Sequence, residues 1–326
     1  DVYLKIVSRS VSIFVVGLLI SMIPFFDFGK TSIPYLVKII LVLSFSAALF
    51  LYLWGKRTQA AIVAGVSALL LAVFWMAGTP IVWYNFGTMR IPGVLQRIAV
   101  CYLIVSLIFL HTNWKQQTVI GVALLLIYWA LMTLVAVPGC EITTIDDKAC
   151  NLAAWLDRTI LTESHMWRQA KVFDPEGILS TIPALATTIS GVLTGTWLRS
   201  EPRAVATGLL DRDETNPVAT ASGSDKGVGL LAHGEKSPVA TAPGSDKAVG
   251  LFFFGSVLLA IGWSWSLLFP LNKSLWTSSY VVYTSGLALL TLGFCYWLID
   301  VKGYKRWSKP FVIFGVNALA LFAFSG

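Results

Sequence analysis

The chain has 326 residues, 56% of them hydrophobic and only 13% charged, with a mean hydropathy of +0.74. A soluble domain carries roughly a quarter charged residues, so this composition excludes a water-soluble globular protein. The formal net charge of +7 is what basic loops on one side of a membrane produce, and it gives no reason to expect a nucleic-acid partner.

Runs of about 20 apolar residues recur along the chain, and only helices or closed barrels satisfy their backbone groups in hydrocarbon. Barrel-type alternation is absent. The expected fold class is therefore all-α, a polytopic transmembrane helix bundle whose first partner is the lipid bilayer. Nine spans are predicted, over residues 10–26, 34–54, 60–78, 91–110, 118–137, 177–198, 249–270, 275–299 and 311–326. The first residue is Asp1 rather than Met, and the last apolar run stops at Gly326, so the sequence reads as cut at both ends.

The loops between spans fall into two sets. Lys5, Arg9, Lys56, Arg57, Lys115, Arg199, Arg203, Lys302, Lys305, Arg306 and Lys309 lie on one side, which the positive-inside rule makes cytoplasmic. Asp27, Lys30, Arg90, the loop 138–176 and Lys273 lie on the other.

In the fourth span Arg90 opens the apolar run and Arg97 follows seven residues later, with Gln96 beside it. A helix starting near Ile91 with Pro92 in its first turn would put Arg97 about 9 Å inside, and both arginines on one face. A buried arginine is costly in lipid. It is read either as an anion or acyl-carbonyl site or as an interfacial residue paired with a loop carboxylate.

The outer loop 138–176 holds Cys140 and Cys150, which suit a disulfide, with two free thiols as the alternative. Cys101 and Cys295 lie within spans and read as small packing residues. In NLAAWLDRTILTESHMW, Trp155, Leu156, Ile160 and Leu161 recur at amphipathic helical spacing, so a short interfacial helix is predicted. Asp157 and Arg158 are adjacent, cannot face each other on that helix, and each needs another partner. His165 is the histidine on this side; a lone loop histidine usually only meets solvent. His111 and His233 read as incidental.

FDPEG opens the sixth span. Asp174 fits an N-cap, Pro175 the first turn, and Glu176 the positive helix end. The same carboxylates would suit a general base or an ammonium anchor. The loop 199–248 duplicates PVATASGSDKGVGL as PVATAPGSDKAVGL and has no face to bury; it reads as a flexible cytoplasmic insertion. In PLNKSLWTSSY, Asn272, Lys273 and Trp276 form either a polar turn with an interfacial aromatic or part of a polar pocket. Asn317 lies in the last apolar run, as an interhelical hydrogen bond or a pocket residue. No metal site is expected.

The order MRIPGVLQRIAVCYLI, NLAAWLDRTIL with HMW, FDPEGILSTIPALATTISGVLTGTWLRS, NKSLWTSSYVVYTSG, DVKG and FGVNALALF resembles the heparan-α-glucosaminide N-acetyltransferase family in its bacterial branch. The resemblance covers residues 1–28, 88–200 and 266–326. It implies a single transmembrane acyltransferase-like domain in a bacterial inner membrane. Such an enzyme takes acetyl from cytoplasmic acetyl-CoA and passes it to the amine of a glucosamine-type sugar outside. Its catalytic histidine would lie upstream of residue 1. Carried over by motif, Arg97, Glu176, Asp174 and His165 are catalytic candidates. Arg90, Gln96, Asn272, Lys273, Trp276, Asn317, Asp157 and Arg158 are substrate-binding candidates, and Arg199 and Arg203 are candidates for the CoA phosphates. Two spans within residues 30–87 depart from the family pattern, as does the repeat. A transporter for a sugar or acidic solute is the rival reading. A scaffold in which polar residues glue helices is a third. The acceptor sugar and any homo-oligomer are left open.

Overall fold

The computed structural model describes residues 1–140, 145–167, 169–170, 172–200 and 245–316. The helices are α1 (Val2–Met22), α2 (Tyr35–Leu53), α3 (Arg57–Met76), α4 (Val94–His111), α5 (Trp114–Leu134), α6 (Leu152–Leu161), α7 (Thr181–Arg199), α8 (Ser245–Trp265), α9 (Ser278–Tyr296) and α10 (Lys309–Val316). The chain is a polytopic helical bundle. Among the described residues seven helices are long and apolar enough to cross a membrane: α1 to α5, α8, and α9 with its extension to Val301.

The predicted count of nine spans is thus not confirmed among the described residues. α7 has span length, with 19 residues, but Thr and Ser keep it out of the apolar set. Their hydroxyls bond back to the preceding turn, as in Thr187 to the Pro183 carbonyl at 3.1 Å and Thr188 to Ala184 at 3.0 Å. α7 tolerates this polarity because it sits centrally, packed on α4, α5 and α9. The ninth predicted span is described only to Val316, and the predicted repeat insertion lies largely outside the described residues.

Two pairings build the rest of the bundle. α1 packs along α4, where the Ser10 hydroxyl donates to the Ala99 carbonyl at 2.8 Å. α8 packs along α9 at very short range. A Cβ added at Gly262 would fall 2.4 Å from the Tyr283 backbone nitrogen, and one at Gly286 would fall 2.6 Å from the Leu259 nitrogen. Small residues let membrane helices approach in this way, since lipid supplies no hydrophobic drive between them. The α8–α9 pair is joined to α5 by buried hydroxyls: Tyr128 donates to the Leu275 carbonyl at 2.5 Å and Ser278 to the Leu125 carbonyl at 2.7 Å.

The two predicted spans within residues 30–87 form a hairpin, α2 with α3, around Phe26, Ile33, Leu41 and Leu71. A short antiparallel contact of Phe26 with Trp83 ties it to the end of α1. The predicted interfacial helix is α6, capped by Asn151, whose side chain accepts from the Ala154 N–H. Cys140 and Cys150 form the predicted disulfide, with Cα atoms 5.8 Å apart.

Candidate functional site

Two expected helix starts are displaced, and the displacement creates the site. α4 begins at Val94, after Pro92, so Arg90 stands outside the helix and Arg97 lies one turn into it rather than two. The two arginines therefore do not share a helix face. α7 begins at Thr181 with Ser180 as its N-cap residue, so Asp174 does not cap it and Pro175 is not in its first turn. FDPEG is instead a free-standing turn ahead of α7, held from both sides by the two arginines.

Arg90 grips the carboxylates of this turn. Its Nε donates to Asp174 Oδ2 at 2.9 Å and its Nη2 to Asp174 Oδ1 at 2.6 Å, and Nη2 also donates to Glu176. The bidentate fork is the strong form of this contact. The reading of a paired interfacial arginine thus describes Arg90. Burial would lower its pKa, but Asp174 and Glu176 outweigh burial and hold it raised. The Asp174 side chain is 0% exposed and also accepts from the Trp167 and Glu176 N–H groups, each at 2.9 Å. Glu176 keeps 19% of its side chain exposed.

Arg97 behaves differently. It pairs with no carboxylate among the described residues. Its Nη2 donates to the Pro175 carbonyl at 2.7 Å and to Ser180 Oγ, which places its guanidinium under the turn. Its Cζ lies 5.3 Å from the centroid of the Trp276 ring. The Nε and Nη1 atoms are buried and have no hydrogen-bond partner among the described residues. Orphaned buried donors are rare, and each calls for a physical explanation.

Trp276 is held for this contact. Its φ is +53°, a region that costs a bulky residue of order 1–3 kcal/mol. Asn272 shapes the turn by accepting from the Ser274 and Leu275 N–H groups at 2.9 and 3.1 Å. The indole N–H then donates to Thr187 Oγ1 at 3.2 Å.

Asp157 lies beneath the turn, 1% exposed, with Oδ2 accepting from the Asp174 N–H at 3.2 Å and Oδ1 from the Ile178 N–H at 3.0 Å. It is a buttress and does not open to solvent. Gly177 makes room for it: an added Cβ would lie 2.1 Å from Asp157 Oδ2. Gly177→Ala is expected to cost about 1–3 kcal/mol, the usual penalty of overpacking, read as a lower thermal midpoint in detergent. Burial pushes the Asp157 carboxyl up from 3.8 to about 6, against the pull of the two N–H donors. A raised native pKa means that the folded state binds the proton more tightly than the unfolded chain. This group's contribution to stability is therefore greatest below about 3.8 and is lost as pH rises through about 6, a change of roughly 3 kcal/mol. Thermal midpoints from pH 4 to 7.5 should show that decline in the wild type and a flatter profile in Asp157→Asn.

Arg158 also has a backbone role, donating to Val172 at 3.0 Å and Ala149 at 2.8 Å. His165 Nδ1 donates to the Met89 carbonyl at 2.7 Å, and its own carbonyl accepts from Ile91, so it fastens the Arg90 segment instead of meeting only solvent. Gln96 is buried toward α1, on a different face from Arg97: a Cβ at Gly17 would meet its Oε1 at 2.7 Å. Lys273 is exposed and outside the cluster, and Arg199 ends α7 exposed at the other end. Asn317 and Arg203 lie outside the described residues. Sequence reasoning missed Ser180, Thr187 and Trp167. The density of hydroxyls in a span-length segment was the available signal for the first two.

No protein-family model matches the chain. The chain is similar to two mammalian acetyltransferases. The heparan-alpha-glucosaminide N-acetyltransferase of Mus musculus is 25% identical over 281 residues, and that of Homo sapiens 24% over 284. Each match covers 73% of this chain and 37% of the relative, so the chain spans well under half the length of the curated relatives it matches. Together with the apolar helices, this distant similarity supports a membrane acyltransferase in general terms.

Proposed function

We propose that the chain forms the core of an enzyme that moves acetyl from cytoplasmic acetyl-CoA to the amine of a glucosamine-type sugar on the opposite side of a bacterial inner membrane. The observation that carries this reading is the pair of buried, unpartnered N–H groups on Arg97, next to a turn whose Glu176 carboxylate reaches the surface. In acyl transfer the amine nitrogen attacks the thioester carbon, the carbonyl oxygen becomes an oxyanion, and the C–S bond then breaks. Arg97 supplies preformed donors for that oxyanion in a site shielded from water. Glu176 accepts the amine proton or holds the ammonium form beforehand. Asp174 and Arg90 hold the turn in place, with Asp157 beneath it. Trp276, positioned by Asn272, packs against the Arg97 guanidinium. Arg199, at the basic end of the bundle, would meet the CoA phosphates, and the motif gives Arg203 the same role.

The test uses full-length protein in detergent with acetyl-CoA and glucosamine, followed by thiol release and by the mass of the sugar product. Wild type should release CoA and acetylate the sugar, and Glu176→Gln should slow turnover while the protein keeps its thermal midpoint. Absence of CoA release with every amine tried would overturn the proposal. Sugar uptake into proteoliposomes without acetyl-CoA would favour a transporter instead.

A further inference from the structure

Between α9 and α10 the chain leaves one apolar helix and enters another. A π-helical turn, Trp297–Val301, ends α9, Gly303 takes φ +76°, and the short turn Arg306–Ser308 leads into α10. The segment therefore lies where the apolar helices stop, at the level of lipid headgroups. Lys302, Lys305, Arg306 and Lys309 are all exposed here. Among the described residues none of the four pairs with a carboxylate. Lys302 lies instead 5.3 Å from the Trp297 ring centroid. Trp297, Tyr304 and Trp307 are exposed in the same stretch, and such amphipathic rings favour the membrane–water boundary.

Orientation bias does not require this density of charge. The connection between α2 and α3, at the same end of the bundle, carries only Lys56 and Arg57, and that between α4 and α5 only Lys115. The four cations also crowd the start of α10, whose first turn has no acidic residue. A helix N-terminus already carries partial positive charge, so extra lysine and arginine there repel it unless an anion lies among them.

We infer that residues 302–309 form an interaction surface for anionic phospholipid headgroups. The phosphate takes hydrogen bonds from the lysines and the arginine and neutralises the start of α10, while the two tryptophans set the depth of the turn. Each cation contributes roughly a fivefold gain in lipid affinity. The inference is independent of the acyltransferase reading.

The test places the full chain in nanodiscs of phosphatidylcholine with and without phosphatidylglycerol. Native mass spectrometry counts retained lipids, and a thermal scan reads stability. Wild type should retain phosphatidylglycerol several-fold over phosphatidylcholine and melt higher when it is present. K302Q/K305Q/R306Q/K309Q should lose both effects, and K302R/K305R/R306K/K309R should keep them. Equal retention of the two lipids by wild type would overturn the assignment, as would full selectivity in the glutamine variant. An equal rise in melting on adding inorganic phosphate to phosphatidylcholine discs would also overturn it, by assigning the surface to a soluble anion.

Discussion

Arg90→Ala is expected to lower stability by about 3–5 kcal/mol, the usual result of removing one partner from a buried ion pair. The size follows from what stays behind. Asp174 is fully buried, and two of its four hydrogen bonds come from Arg90. Without the guanidinium, a carboxylate remains in a low-dielectric site with only the Trp167 and Glu176 N–H groups to satisfy it. Glu176 loses its cation at the same time, and the two carboxylates of one turn then repel each other. Arg90→Lys should recover only part of the loss, because an ammonium cannot span both Asp174 oxygens and reach Glu176 as the planar fork does. Arg90→Ala/Asp174→Ala should be less damaged than the sum of its two parents, since no unpaired charge remains. Thermal or denaturant unfolding in a fixed detergent measures all four proteins. A wild-type midpoint for Arg90→Ala would show that the pair does not hold the turn.

The parts of this fold that were legible in the sequence are those set by solvent. Lipid demands apolar runs of a fixed length, so α1 to α5, α8 and α9 stand out by composition alone. The disulfide and the α6 amphipathic helix were legible for similar local reasons, namely cysteine spacing in one loop and periodic apolar residues. The helix starts at the site were not. Pro92 and Asp174-Pro175 carry ordinary helix-start chemistry, and local propensity favours the helix in both places. Two long-range contacts override it. Arg90 reaches the 174–176 turn 84 residues ahead, and His165 fastens Met89 and Ile91 outside α4. The same contacts explain why Arg90, Arg97 and the 174–176 turn meet although they are far apart in sequence, while Lys273 stays outside and the predicted shared face of Arg90 and Arg97 did not form. Asp157 shows the reverse case. A carboxylate in a loop helix looks available for substrate, but the absent side chain at Gly177 draws it beneath the turn, and sequence periodicity carries no sign of that fit.

Arg97→Lys is the sharper test of the proposed chemistry, with an expected loss of about 10²–10³ in turnover, the usual effect of removing an oxyanion donor. Lysine keeps the positive charge and much of the stem. Its single nitrogen can replace the contacts that Arg97 Nη2 makes with the Pro175 carbonyl and Ser180. It cannot also present donors in the directions of Nε and Nη1, the two atoms left without partners. The planar guanidinium that lies 5.3 Å from the Trp276 ring centroid is lost as well, so a lysine is less well fixed in angle. The substitution therefore separates two explanations of a buried arginine. If Arg97 only pins the turn to α4, lysine should preserve turnover and the thermal midpoint together. If its free N–H groups meet the acyl oxygen, the midpoint should stay close to wild type while the rate collapses. The loss should then fall on kcat more than on KM for the amine, because the oxyanion is absent from the ground state and develops only as the transition state is approached. Arg97→Ala would confound the two explanations, since it also leaves the Pro175 carbonyl and Ser180 without their donor. Lysine is the informative change, and wild-type kcat in a folded Arg97→Lys protein would remove Arg97 from the reaction.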